Sequence, residues 1–402
     1  MKRAIAFLLL VTTLAAAAAA AAARPRDDVR ALTRIASRLS GLPVRHRVVV
    51  RTVSAAALKA EARTLLDRDY PAAEQAYDET LYRALGLLKP GQSLRPLLLA
   101  AATSNVLALY DPATRVLYTR IANGRRPALL HELVRALADQ AFDFRRTTAL
   151  RRTDRDASFA AAAAVDGDAT FSTQVLGGRL LATAPRRTTS TADPMTSFLQ
   201  LEQQFPDTVG MRFAATLHNL GGRSAVFTSL QQLPTTTAQI FHIDDFLMRL
   251  PAETVQLPQS AGGFTLQRSD SFGELDVRAL LAAFKVPRID VVGDGWTGGR
   301  SGVYVGASGQ NAVSLVLSWE TEQDAQEWHD ALATYVHAAF DAGDAGAPPT
   351  APCASGDTCW SIGGRGLALT VAGTRTAFAI GPDVESADAL AQAELGPSLD
   401  LE

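Results

Sequence analysis

The sequence predicts an α+β fold: a mostly helical core with a small edge sheet, followed by a C-terminal α+β unit. Three observations predict it. Helical patterns dominate residues 27–250, interrupted by two short β-rich regions near 47–51 and 106–120. From about residue 264 the β-rich runs multiply. Among them lies one long amphipathic stretch, Thr321 to about Phe340. Its apolar positions Ala325, Trp328, Leu332, Tyr335 and Val336 follow a period near 3.6.

The chain opens with a secretory signal pattern. Lys2-Arg3 form the positive region, Ala4 to Ala20 the apolar region, and Ala21-Ala22-Ala23 an A-x-A cleavage site before Arg24-Pro25. The domain division is therefore a signal peptide at 1–23, a core domain at 24–260, and a C-terminal unit at 261–402 with a linker near 341–357. A cleaved leader makes the mature protein secreted or periplasmic. No later stretch is long and apolar enough to span a membrane.

In the core, residues 27–40 read as a helix and Arg47–Arg51 as a strand. Two helical stretches follow from Ser54 to about Leu88, broken near Asp69-Tyr70-Pro71, where Pro71 suits a first helical turn. Pro90-Gly91 closes this section. Val106–Tyr110 and Val116–Arg120 flank Asp111-Pro112-Ala113-Thr114, a hairpin with turn chemistry. The helix carrying His131 comes next. Residues 157–183 form an Ala-rich helical region, 187–195 a Thr/Ser/Arg-rich loop, and further helices reach about 250. Thr235–Thr237 offer an N-cap for a helix over 238–249.

In the C-terminal unit, strands are expected at Phe264–Gln267, Val303–Val305 and Ala312–Leu317. A final strand pair, Leu367–Val371 and Thr376–Ile380, precedes a short helix. Trp296 and Trp319 read as packing residues of this unit.

Composition excludes some function classes. A net charge of −2 gives no basic excess for binding nucleic acid. Cys353 and Cys359 are the only cysteines, and in a secreted chain this spacing suggests a small-loop disulfide. There is no G-x-S-x-G segment and no phosphate-binding loop.

The most informative stretch is His131-Glu132-Leu133-Val134-Arg135. A His-Glu-x-x-His helix places two imidazoles on one face to bind Zn²⁺, and the Glu activates the metal-bound water. Here the second His position is Arg135, a permanent cation that cannot bind a metal. A third ligand would come from a following helix, and Asp166 stands 31 residues after position 135.

Several segments, in order, resemble one family: secreted bacterial zincin-type, gluzincin-like peptidase proteins whose helix reads HELTHALQDQ-F and whose next helix carries EGDAT. The counterparts here are HELVRALADQ-F from His131 to Phe142 and DGDAT from Asp166 to Thr170. Leu85–Leu88, Tyr110–Thr114, Thr237–His242, Gly295–Arg300 and Trp319–Trp328 resemble further pieces of the same family. The resemblance spans roughly 45–340. It implies a zincin-like core, a metallopeptidase chemistry with Glu132 as general base, and His131 and position 166 as metal ligands. It implies no particular substrate.

This chain departs from that pattern at two ligand positions, Arg135 for His and Asp166 for Glu. His131 and Asp166 alone are too few for a catalytic zinc, which normally has three protein ligands. His218 and His242 are the candidates to replace the lost ligand. If Asp166 approaches as the family's Glu would, the Arg135 guanidinium can bridge Glu132 and Asp166 in the metal's place. No cofactor is then expected, and zinc only if the site still functions. Three functional readings follow. One is a secreted, catalytically degenerate metallopeptidase-like protein that binds a protein or peptide through the former cleft. The second is an active zinc-dependent hydrolase with unusual or substitute ligands. The third is a structural envelope protein.

Overall fold

Two sheets organise the chain into a mixed α+β fold. The computed structural model describes residues 25–104, 106–120, 126–175, 193–340, 350–353 and 358–395. The expected leader at 1–23 and loop at 187–195 fall largely or wholly outside the described residues, as do 341–349 and 354–357 of the expected linker.

The small sheet contains β1 (Val49–Thr52), β2 (Ala108–Asp111) and β3 (Val116–Thr119), in the order β1-β3-β2. β2 and β3 form the expected hairpin. Its turn is held by Asp111, which accepts hydrogen bonds from the Ala113 N–H at 3.0 Å and the Thr114 hydroxyl at 2.6 Å. β1 runs parallel to β3. A parallel pair needs a long crossover, supplied by the helices Ala55–Asp69, Ala72–Ala84 and Leu94–Thr103. Ser54 caps the first by accepting from the Ala57 N–H at 3.1 Å. The third is not foreseen from sequence, because its Leu97–Ala102 run has no polar face to set a period.

The large sheet has the strand order β4-β5-β6-β7-β11-β10-β9-β8, with every neighbouring pair antiparallel. Its strands are β4 (Ser260–Ala261), β5 (Phe264–Ser271), β6 (Trp296–Gly306), β7 (Asn311–Trp319), β8 (Thr350–Ala351), β9 (Thr358–Ile362), β10 (Arg365–Ala372) and β11 (Arg375–Gly381). β5 and β6 are longer than their apolar runs indicate. The helix Glu274–Ala283 between them is buried on most sides, which hides its amphipathic signal. Both sheet faces are covered. Trp328 and Tyr335 of the helix Glu322–Phe340 share a core with Leu315, Leu369 and Phe378. Ala387 and Leu390 of the helix Val384–Leu395 pack with Ala368, Ala377 and Ala379 on the other face. Trp296 and Trp319 are buried here as expected.

The core containing Trp328 also includes Tyr77, Leu81 and Phe198, so it crosses the expected boundary at residue 260. A buried ionic cluster lies on the same junction. Arg155 bonds to Asp276 at 2.9 Å and to Glu202, and lies 3.5 Å from Asp78. Arg151 bonds to Asp78 at 2.6 Å.

One expected helix differs. Residues 238–249 form two short helices, Ala238–Phe241 and Ile243–Met248, separated at His242 by extended backbone. Of the expected capping threonines, Thr236 accepts the Gln239 N–H at 3.2 Å, while Thr237 does not cap with its side chain. Its hydroxyl instead donates to the buried Asp156 at 2.5 Å.

Candidate functional site

The helix Arg126–Phe142 positions the site. Pro127 in its first turn suits a helix start, and Asp143 ends it with a left-handed φ of 54°. Leu130, Leu133, Val134 and Leu137 are buried against Ala160 and Ala164 of the helix Arg155–Thr170. Burying each such large aliphatic contributes about 1.5–3 kcal/mol. The polar edge of one helix therefore faces the polar edge of the other.

On that edge Arg135 lies between two carboxylates. Its Nη1 donates to Glu132 Oε2 at 2.9 Å, and its Nε lies 2.6 Å from Asp166 Oδ1. The second contact is a close ion pair without aligned hydrogen-bond geometry, since neither atom has a directional partner. Burial alone would lower the guanidinium's pKa. Asp166 and Glu132 outweigh burial and hold it above its ordinary value.

Glu132 is engaged a second time. Its Oε2 also accepts the Tyr110 backbone N–H of β2 at 2.9 Å. The residue that would activate water thus ties the hairpin to the helix. Two turns further along, the fully buried Asp139 accepts from the Tyr110 hydroxyl at 2.7 Å, the Phe144 N–H at 2.6 Å and Arg115 Nε at 3.2 Å. Sequence reading misses Asp139 and Tyr110. The signal available was spacing: position 139 falls seven after Glu132, on the same helical face.

His131 lines a separate pocket of about 290 Å³, with Thr170, Thr173, Gln174 and Asp207. Arg135 and Asp166 instead border a cleft of about 320 Å³ beside β2, walled by Leu109, Tyr110, Phe159 and Val165. His218 packs on Phe171 at a ring distance of 5.2 Å. His242 bonds to Glu274 at 3.0 Å, a contact that raises its pKa. Cys353 and Cys359 are disulfide-bonded.

Among the described residues, side chains of metal-ligand type converge in two groups. One is Cys353, Cys359 and Asp388, whose sulfurs are already bonded to each other. The other is His242, Glu274 and Asp294. Arg278 occupies the second group, bonding Glu274 and Asp294 at 2.6 Å each. Neither group brings His218 or His242 to His131. Among the described residues, no group of three or more metal-ligand side chains includes His131, and Arg135 places one cation between Glu132 and Asp166.

The remaining residues of the DGDAT segment have packing partners. Asp168 takes Arg223 on both oxygens at 2.7 and 3.2 Å, and Thr170 donates to Asp207 at 2.6 Å. A Cβ on Gly167 would lie 2.3 Å from the backbone of Gly210.

A family model described as a domain of unknown function (DUF8575) matches residues 263–391, which run from the start of β5 into the last helix. No curated protein and no solved structure matches the chain. Among the described residues, no helix is long and apolar enough to cross a membrane.

Proposed function

We propose that this chain is a secreted or periplasmic, zinc-peptidase-like protein that has lost hydrolysis and binds a peptide or protein segment in the cleft beside β2. The observation that carries this reading is Arg135, held between Glu132 and Asp166. An unassisted carboxylate is a poor amide hydrolase, because nothing lowers the pKa of water or stabilises the oxyanion. Here the carboxylate is also engaged by the Tyr110 N–H. The 320 Å³ cleft is large enough for one or two side chains, and its walls are mainly apolar. The leader pattern at 1–23 and the Cys353–Cys359 disulfide support export.

Metal analysis of the purified protein, equilibrated with zinc and desalted, tests the first half. The expected result is no stoichiometric zinc and an uncleaved peptide pool. Stoichiometric zinc together with cleavage abolished by Glu132→Gln would overturn the reading. A displayed peptide library tests the second half, with binders expected to be lost when Ala162→Trp fills the cleft.

A further inference from the structure

A further, sizeable cavity shares no lining residue with the His131 pocket. It measures about 940 Å³ and lies between the helix Ala72–Ala84 and the ends of β7, β10 and β11. That volume falls within the range of small-molecule sites, and its accessible walls include the apolar side chains of Pro71, Ala72, Ala76 and Pro382. Three arginines and two carboxylates reach the lining. Arg83 pairs with Glu79 at 2.9 Å and Arg95 with Asp67 at 2.7 Å. Arg365 has no carboxylate partner among the described residues. Its one hydrogen bond there runs 3.5 Å to the Ala84 carbonyl. Three cations against two anions leave one net positive charge, localised on Arg365.

We propose that this cavity binds a small amphiphile bearing one carboxylate, with its chain along Pro71, Ala72, Ala76 and Pro382 and its head on Arg365. The planar guanidinium matches a carboxylate bidentately. A single uncompensated cation suits one negative charge and is a poor match for a polyphosphate. The apolar wall supplies the rest of the affinity by area. This site is independent of how the His131 region is read.

Calorimetric titration of the full chain with decanoate, decanol and decyltrimethylammonium, each below its micellar concentration, tests the proposal. Decanoate is expected to bind at least about tenfold tighter than decanol, the factor a charge-assisted contact provides. The cationic amphiphile is expected to bind most weakly. Arg365→Gln should bring decanoate down to the decanol level. Ala76→Trp should block both ligands, and because the Ala76 side chain is exposed the substitution leaves the core intact. Equal affinity for decanoate and decanol overturns the proposal. So does failure of decanoate to bind the unmodified protein, or undiminished binding in Ala76→Trp.

Discussion

A guanidinium differs from a zinc ion in carrying one fixed charge, a planar set of donors and a tether to its own helix. At position 135 the tether matters most, because Glu132 lies one turn away and the pair closes within a single element. Removing the cation leaves Glu132 and Asp166 facing each other. We expect Arg135→Ala to destabilise the fold by about 1–3 kcal/mol, below the cost of breaking a fully buried pair because both carboxylates keep some solvent contact. Arg135→Lys should fall between, and urea unfolding midpoints will rank the three proteins. The Glu132–Arg135 contact was legible in the sequence because helical spacing determines it. The link to Asp166 rested on the family resemblance. The Tyr110 contacts with Glu132 and Asp139 were not legible, because they join a hairpin to a helix over a separation no local pattern encodes.

At the scale of elements, the DGDAT turn of the helix Arg155–Thr170 is a packing device on several sides. Gly167 lets this helix approach the turn at Gly210, where any side chain would meet backbone. Backbone cannot yield as a flexible side chain can, so Gly167→Ala should cost about 2–3 kcal/mol, read as a lowered thermal midpoint. The helix Arg126–Phe142 and the β2–β3 hairpin could be read from their own residues. The large sheet could be read only in part: five of its strands, including the β10–β11 pair, were expected, but its β7–β11 seam joins strands separated by a helix and three further strands. The Glu274–Ala283 helix was invisible for a related reason, since burial on nearly all sides erases the period that marks a helix.

Across the whole molecule, the Arg155 cluster gathers more negative than positive charge where the helical core meets the large sheet. Arg151 and Arg155 face Asp78, Asp270, Asp276 and Glu202. Burial pushes Glu202 up to about 7; Arg155 pulls against this and Asp276 adds to it. The folded protein thus holds a proton on Glu202 over a range where the unfolded chain has released it. This group favours folding below its ordinary value of 4.5, and that contribution fades as pH rises through about 7. Glu202→Gln should flatten the decline in stability between those limits, measured as denaturant midpoints across a pH series. An unchanged slope would place the excess proton on another carboxyl.

The disulfide sits at one rim of the large sheet, where Cys359 belongs to β9 and Cys353 follows the two-residue strand β8. Strand β8 is too short to stay in place on its own hydrogen bonds. The covalent clip is therefore what keeps a neighbour against β9, whose outer backbone groups would otherwise be free to recruit another chain. Reducing the disulfide would loosen this edge alone, since the opposite edge at β4 carries no such clip.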